Sequence, residues 1–450
     1  MMLKFSNNMT KLVQRFAMAA FTAAVALTAT AATPRQEIAA VPGRAASNHF
    51  AYPYPALELP RLSAAPKGYE PFYIDHYGRH GSRWLTSKKS YNRPVAQLEL
   101  AARHGALTPV GRALLDTLRM VADAARGRIG ELTDIGAEQH QGIATRMVRN
   151  FPEVFSGDAR IDARSTTVIR CILSMQNETM TLRGLNPRLR VTTDASLHDM
   201  HYLGWGRGED TCANALHERM RRLTDSVERA LLHPARFAAS LIADRQLLRD
   251  SIDQLRLMAD VFDVAGSLQG HKAYRGIDLY KLFTADEVYD LWRNNNIYWY
   301  VQWANAPQTG NRMPYIERAL LANMLSSADS ALATGQRGAS LRFGHETCLL
   351  PLACLMELDS VNYSCRDLST LADHWQNYNI FPKGCNIQMV FYRRTGARPP
   401  YNAGDVLVKV LLNEHEATLP VKAVSGPYYR WSDVRAYYER KLSRRIDWTD

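Results

Sequence analysis

The chain has 450 residues, of which 46% are hydrophobic and 22% are charged. This composition is typical of a globular protein with ample material for a core, and the length predicts two or three units or one large domain with an insertion. The formal net charge of +11 favours anionic partners. The basic residues are scattered, without the tracts of a nucleic-acid-binding protein, so we expect a polyanionic small molecule and no nucleic acid.

Residues 1–31 have the pattern of a signal peptide. Lys4, Lys11 and Arg15 precede an apolar, alanine-rich stretch from about Phe16 to Ala29, and an A-x-A cleavage site follows at 29–31. The alternative is an uncleaved anchor helix, for which the stretch is short and weakly hydrophobic. We therefore expect an exported protein, periplasmic, outer-membrane-associated or secreted, with no stable membrane span after cleavage and no obligate protein partner.

Export bears on the cysteines, because disulfides form in oxidising compartments. The six cysteines are Cys171, Cys212, Cys348, Cys354, Cys365 and Cys385. They allow fifteen full pairings, and their spacing resembles no zinc motif. We expect structural thiols or one to three disulfides, and no metal.

Residues 32–65 are rich in alanine and proline, which predicts an N-terminal arm or linker. The apolar run Pro71-Phe72-Tyr73-Ile74 predicts a strand that leads into Arg79-His80-Gly81-Ser82-Arg83. Helices are expected over 94–128 and 130–155, the second with Thr133 as a plausible N-cap. A strand over 161–166 and a helix over 168–182 follow. This alternation predicts an α/β fold, with a mainly parallel central sheet flanked by helices.

The pattern changes between residues 198 and 335, where strand-like runs are few. Thr284-Ala285-Asp286-Glu287 is a capping box that predicts a helix start. We interpret this range as an inserted, all-helical cap domain between two parts of the α/β core, 66–197 and 336–450. In the second part, a strand over 339–343 ends at Gly344-His345-Glu346-Thr347 and a helix follows, and two more strands are expected over 386–392 and 405–412.

Three predicted strand ends carry polar groups suited to phosphate-ester hydrolysis. Ligands of open α/β sheets bind beyond the carboxyl ends of the strands, so residues 79–83, 164–170 and 345–346 are expected to converge. The arginines Arg79, Arg83 and Arg170 would hold the phosphoryl oxygens, because a guanidinium binds two oxygens at once.

The remaining roles fall to two histidines and one acid. His80 would attack phosphorus and form a phosphohistidine, and His345 would donate a hydrogen bond to the phosphate. Glu346 would protonate the leaving oxygen, provided that its surroundings raise its pKa. No metal or other cofactor is needed. Each residue also has a structural alternative, such as a helix-terminal charge for Glu346 or a carboxylate partner for Arg170.

These segments resemble the histidine acid phosphatases and phytases, over about residues 70–395 and in the same order. The matching segments are Arg79-His80-Gly81-Ser82-Arg83 for R-H-G-x-R; Leu132-Thr133 with Gly136, Gln139 and His140; Arg164-Ser165-Thr166 with Arg170 and Ser174; and Gly344-His345-Glu346-Thr347 for the H-D or H-A-E element. Tyr77-Gly78 before the first motif and Leu349-Leu350-Pro351-Leu352 after the last are closest to the multiple inositol polyphosphate phosphatases.

The resemblance implies an exported, metal-independent phosphomonoesterase that works through a phosphohistidine. The implied substrates are inositol polyphosphates such as phytate, with 2,3-bisphosphoglycerate as a further one. It also makes Thr86 a substrate contact. Lys88 and Lys89 follow closely and would reach other phosphates, or else be solvated surface lysines.

The sequence departs from the family pattern at two places. Leu85 replaces a common proline, and the acid Glu346 directly follows His345, so that Thr347 stands where H-A-E enzymes have glutamate. Other functions stay open: a general acid or sugar-phosphate phosphatase, a phosphomutase, or a non-catalytic phosphate-binding protein.

Overall fold

The structure is a computed structural model that describes residues 32–52, 61–204 and 210–448, without the side chains of 210–213. The predicted signal peptide, residues 1–31, and the side chain of Cys212 lie outside the described residues. Within the described part, no helix combines the length and the apolar character needed to cross a bilayer.

A central sheet positions the rest of the chain. Its strands are β1 Tyr69–Arg79, β2 Arg160–Ser165, β3 Arg190–Asp194, β4 Gly338–Gly344, β5 Asn386–Arg394, β6 Leu407–Leu412, β7 His415–Ala417 and β8 Tyr429–Arg430. The strand order is β3-β2-β4-β1-β5-β6-β7, and β8 pairs with β6. β3, β2, β4 and β1 are mutually parallel, whereas β5, β6, β7 and β8 join by antiparallel pairings. The expected α/β sheet flanked by helices is confirmed, and it is a mixed sheet with the parallel strands on one side.

Helices make up most of the remaining described structure. They are α1 Pro34–Ala40, α2 Lys88–Arg103, α3 Pro109–Ala124, α4 Asp134–Asn150, α5 Ile169–Leu185, α6 Met200–Leu203, α7 Asp210–Leu231, α8 Ala235–Leu241, α9 Arg245–Asp250, α10 Gln254–Leu268, α11 Ala285–Trp303, α12 Arg318–Thr334, α13 Glu346–Met356, α14 Leu371–His374, α15 Asn377–Ile380 and α16 Trp431–Leu442. Short 3-10 helices span Pro42–His49, Leu197–Asp199, Lys272–Tyr274, Tyr280–Leu282, Pro307–Thr309 and Met313–Glu317.

Alternation along β1 directs side chains to two different cores. Ile74 packs with Ile143 of α4 and Met175 of α5 on one face of the sheet. Tyr73 belongs to the core on the other face, which includes Met324 of α12 and residues of α13. The sheet is therefore covered on both faces, as a strand order with parallel crossovers requires.

A separate hydrophobic core lies among helices alone. It joins Leu98 of α2 and Leu114 of α3 to Phe237 of α8 and Leu257 of α10. The described residues between 195 and 337 contain helices and no strand. The boundaries of the predicted cap at 198 and 335 stay a prediction, and α12 near the end of this range packs against the sheet.

Some predicted elements differ in detail. The single helix expected over 94–128 is two helices, because Gly105 takes a positive φ of 64° and Thr108 caps a new helix that starts at Pro109. The N-cap Thr133 and the capping box at Thr284 are confirmed. The five cysteines whose side chains the structure describes are buried, and no disulfide joins any two of them.

Candidate active site

The first and last predicted motifs meet because β1 and β4 are parallel neighbours in register. Arg79 pairs with Gly344, and the backbone N–H of His80 donates to the carbonyl of Gly344 over 3.0 Å. His345 and Glu346, which follow directly after β4, are therefore beside His80. The rings of His80 and His345 lie 5.7 Å apart, edge to face.

His80 presents one ring nitrogen to the site. Its Nδ1 lies 2.8 Å from the carbonyl oxygen of Gly81, which only accepts, so Nδ1 carries the proton and Nε2 keeps its lone pair. Nε2 is buried without a hydrogen-bond partner among the described residues and lies 3.6 Å from Oε2 of Glu346. Burial, helped by the charges of Arg170 and Lys383, holds the pKa of His80 well below 6.5 against the opposing effect of Glu346. The imidazole is neutral and has the form of a nucleophile.

The loop that carries His80 is fixed by the second motif. A Cβ on Gly81 would stand 2.4 Å from the carbonyl oxygen of Gly136, and one on Gly136 would stand 2.2 Å from that of Ser82. Both glycines are therefore needed for the loop to touch the start of α4. The N–H of Ser82 also donates to Gln139 over 2.7 Å, and that of Gly81 donates to Ser174 over 3.1 Å.

Arginine side chains from two segments, 79–83 and 164–170, supply positive charge. Arg79 is fully buried, donating from Nη1 to the carbonyl of Phe381 over 2.7 Å. The Nε atoms of Arg79, Arg83 and Arg170 are buried and have no hydrogen-bond partner among the described residues. Burial and the charges of Arg170 and Arg79 lower the pKa of Arg83 to about 10, against the opposing effect of Glu346, which leaves it charged at neutral pH. Buried donors without acceptors around a neutral imidazole are suited to an anion.

Glu346 opens helix α13 and is held by Arg79. Nη2 of Arg79 lies 2.6 Å from its Oε1, to which Asn48 also donates over 3.2 Å. Burial favours the protonated acid, but Arg79, His80 and Lys383 together hold the pKa of Glu346 well below 4.5. The condition set for Glu346 as an acid, that its surroundings raise its pKa, is not met in the free protein, because the cations of the site outweigh desolvation.

His345 lies at the side of the site that is next to the end of β2. Its backbone N–H donates to the hydroxyl of Tyr77 over 3.1 Å, and its Nε2 lies 3.3 Å from Oγ1 of Thr166. Burial, with Arg170, lowers the pKa of His345 to about 4. The ring is neutral, so it has one N–H to offer.

The sequence patterns missed residues of two other segments. Lys383 lies just before β5 and is 2% exposed, with no hydrogen-bond partner for Nζ among the described residues. Burial and the charges of Arg79 and Arg83 hold its pKa well below 10.5. His49, in the N-terminal arm, has its pKa lowered by burial and by Lys383. Strand β5 is antiparallel to β1, so the start of β5 reaches the edge where β1 ends, and a search of strand ends overlooks it.

Three side chains of this site, those of His80, His345 and Glu346, are of types that bind metal ions. Ligand atoms of His80, His345 and Glu346 lie within 4.8 Å of one another. A cation placed there would face the positive charges of Arg79 and Lys383, both buried. Coulomb repulsion in a buried site opposes that, so the site suits an anion better.

Comparison with solved structures reveals the same architecture elsewhere. The Bifidobacterium longum multiple inositol polyphosphate phosphatase in complex with inositol hexasulfate matches with a TM-score of 0.70 and 17% identity, over 88% of this chain and 97% of that one. The phytase from D. castellii matches with a TM-score of 0.64 and 14% identity, over 93% and 89%. The chain has the fold of these phosphatases. No family model and no curated protein matches the sequence.

The histidine acid phosphatase resemblance, drawn from short motifs, is thus confirmed at the level of the fold. Within this phosphatase fold, the predicted residues His80, Arg79, Glu346 and His345 come together by direct contact or ring packing. Arg83 and Arg170 join them through the electrostatic effects described above.

Other residues that the sequence analysis named have different surroundings. Thr86, Lys88 and Lys89 are exposed at the start of α2, and their role as substrate contacts stays a prediction. Arg164, the first arginine of its motif, pairs with Asp162 over 2.9 Å. His140 is buried behind the site, with Nδ1 2.9 Å from Glu178. These last two residues therefore have structural partners.

Proposed function

We propose that the chain is an exported, metal-independent phosphomonoesterase that hydrolyses inositol polyphosphates through a phosphohistidine at His80. One observation carries this proposal: Nε2 of His80, on a neutral ring and without a hydrogen-bond partner, lies near guanidinium groups whose buried Nε donors also have no partner among the described residues. A neutral imidazole beside donors that can stabilise charge supports attack on a phosphoryl group at this site.

In the first step, the lone pair of Nε2 forms a bond to phosphorus while the bond from phosphorus to the ester oxygen breaks. Arg79, Arg83 and Arg170 stabilise the charge on the non-bridging oxygens. His345 donates its single N–H to one of them. The leaving alkoxide must take a proton, and Glu346 is the acid nearest to Nε2, at 3.6 Å.

Glu346 is ionised before substrate binds, so its proton has to arrive with the substrate. A bound phosphoryl anion offsets the charges of the cations that hold Glu346 ionised, and this raises its pKa. Glu346 then gives the proton to the leaving oxygen. In the second step, water attacks phosphorus while the bond between phosphorus and Nε2 of His80 breaks. The ionised carboxylate of Glu346 accepts the proton that the water loses, phosphate leaves and the free imidazole is restored.

The substrate class rests on the basic character of the chain and on the similar solved structures. The net charge of +11 favours a polyanion. One of the matching structures is a phosphatase with bound inositol hexasulfate, an anion of the same shape class as phytate. 2,3-Bisphosphoglycerate is a smaller polyanion that the same charges would hold. Export rests on the predicted signal peptide over residues 1–31.

The test is phosphate release by the purified mature protein, with phytate and with p-nitrophenyl phosphate at acidic pH. His80→Ala should abolish release, whereas His104→Ala, which removes an exposed histidine at the end of α2, should not change it. Equal rates for wild type and His80→Ala would refute the proposal. A preference for p-nitrophenyl phosphate over phytate would indicate a general acid phosphatase instead.

A further inference from the structure

Lys383 is held by the backbone between the catalytic loop and the N-terminal arm. Its own N–H donates to the carbonyl of Phe50 over 2.7 Å, and the N–H of the next residue, Gly384, donates to the carbonyl of His80 over 3.1 Å. The N–H of Arg79 donates to the carbonyl of Cys385 over 2.8 Å. The position of Lys383 is therefore tied to that of the proposed nucleophile.

The side chain of Lys383 is buried without the partners that a buried ammonium needs. It is 2% exposed, and among the described residues Nζ has neither a hydrogen-bond acceptor nor an ion-pair partner. Taking an unpaired charge out of water is costly, so buried charges in folded proteins are paired or bind an ion. Lys383 departs from that rule.

The nearest anion of the site does not make up for this. Oε1 of Glu346 is occupied by Arg79 and Asn48, and Oε2 faces His80. The remaining charges that act on Lys383 are the guanidiniums of Arg79, Arg83 and Arg170, which oppose it.

A second buried lysine shows what a structural partner set looks like in the same chain. Nζ of Lys409, whose side chain is 1% exposed, donates to the carbonyl of Ser63 over 2.8 Å and to Glu416 over 2.9 Å. Lys409 lies in β6 and is satisfied by the protein itself. Lys383 is buried to a similar extent, but among the described residues its Nζ has no acceptor.

We infer that Lys383 is a phosphate-binding residue whose ammonium contacts a non-bridging oxygen of the reacting phosphoryl group. This inference rests on the proposed function and adds a cation that the sequence motifs do not contain. A phosphoryl dianion supplies the charge and the acceptor atoms that Lys383 lacks. Nδ1 of His49 is also buried without a hydrogen-bond partner among the described residues, and the charge of Lys383 helps to lower the pKa of His49.

The two buried lysines give a matched test with opposite signs. Lys383→Met removes an uncompensated charge, so the unfolding midpoint of the free protein should rise, while the affinity for inorganic phosphate should fall at least tenfold. Lys409→Met removes a paired charge and leaves the Glu416 carboxylate without its cation, with only the hydrogen bonds from Ser63, so the midpoint should fall and phosphate affinity should stay unchanged. Phosphate affinity is measured by calorimetry and by the phosphate-induced shift of the midpoint.

Additional variants keep the test decisive. Lys383→Arg keeps a cation and should bind phosphate within a few-fold of wild type. Lys383→Gln is a second neutral variant and should behave as Lys383→Met does, so the test still works if one of the two fails to fold. If both neutral variants bind phosphate as wild type does, or if both lower the midpoint and leave affinity unchanged, Lys383 is structural and the inference is overturned. If wild type itself binds no phosphate and releases none from its esters, the proposed function falls as well.

Discussion

Arg79 and Glu346 form a buried ion pair in which Nη2 lies 2.6 Å from Oε1, while Oε2 of the same carboxylate lies 3.6 Å from Nε2 of His80. One carboxylate thus contacts a phosphate-binding group and faces the proposed nucleophile. Arg79 keeps this carboxylate ionised before substrate binds, and the adjacent ends of β1 and β4 fix its position. Glu346 therefore links the phosphate-binding Arg79 to the proposed nucleophile His80.

Glu346→Gln should slow turnover most for substrates with poor leaving groups. The amide keeps the size of the side chain but cannot transfer a proton, and general acid catalysis is worth roughly 10²–10⁴-fold. We expect a loss in that range for phytate and a much smaller one for p-nitrophenyl phosphate, whose phenolate needs little protonation. The measurement is kcat for both substrates, with Glu99→Gln as the control, because Glu99 of α2 is partly exposed and pairs with Arg119. An equal loss for both substrates would show that Glu346 is not the acid.

Gly81→Ala should inactivate the protein through a steric effect on the catalytic loop. The added Cβ would stand 2.4 Å from the carbonyl oxygen of Gly136, which is backbone and cannot move aside without shifting α4. Gly184→Ala is the matched control, because no atom lies within 4 Å of its Cβ position. In helix α5 that alanine should stabilise by about 0.5–1 kcal/mol. Denaturant unfolding and phosphate release measure both effects, and an active Gly81→Ala enzyme would contradict the packing described.

The acid side of the pH profile should reflect the neutral state of His80. Its pKa is held well below 6.5, so the free protein keeps an unprotonated nucleophile on the acid side of that value. We expect kcat/KM, corrected for the ionisation of the substrate, to show no fall as pH decreases through 6.5. Such a fall, centred near 6.5, would mean that His80 titrates as an exposed histidine does.

His76, beneath the site, should make stability depend on pH. It is fully buried and unpartnered among the described residues, and burial lowers its pKa from 6.5 to about 4. The unfolded chain binds its proton first, so stability is fully present above pH 6.5 and is lost as pH falls toward 4. The shift corresponds to about 3 kcal/mol for this group.

The test for His76 is chemical unfolding of wild type and His76→Gln above pH 6.5 and near 4. The variant cannot titrate at that position, so its loss of stability between the two conditions should be smaller. An identical loss in both proteins would assign the pH dependence to other groups.

Chelation by EDTA should leave phosphate release intact. A divalent ion among His80, His345 and Glu346 would face the buried charges of Arg79 and Lys383, and Coulomb repulsion opposes its binding. The measurement is the rate before and after dialysis against EDTA. Inactivation that added zinc or magnesium reverses would contradict this expectation.

Much of the site follows from the sequence, because residue type and position relative to a strand are local properties. The apolar run before Arg79 predicts a strand, and so does the run before His345; if these strands are parallel, their carboxyl ends share one edge. In the structure β1 and β4 are parallel, and the pairing of Arg79 with Gly344 brings their carboxyl ends together. The support from Thr133 and Gly136 is also recognisable, since a helix N-cap has a local signature.

The roles of the long-range neighbours do not follow in this way. Lys383 and Asn48 come from an antiparallel strand start and from an alanine-rich arm, neither of which has a chemical motif. The hydrophobic periodicity continues across the break between α2 and α3, so it predicts a single helix. The break comes from Gly105, which follows the first helix, and from Pro109, which starts the second.

The sequence by itself determined which groups can do chemistry here and that strand ends would carry them, since both depend on residue identity and on patterns a few residues long. The tertiary structure alone decided that Glu346 is ionised, that His80 is neutral and that Lys383 is buried among them. These properties are sums of desolvation and Coulomb effects over groups that are hundreds of residues apart along the chain. Such sums depend on distance in space, which no local pattern contains.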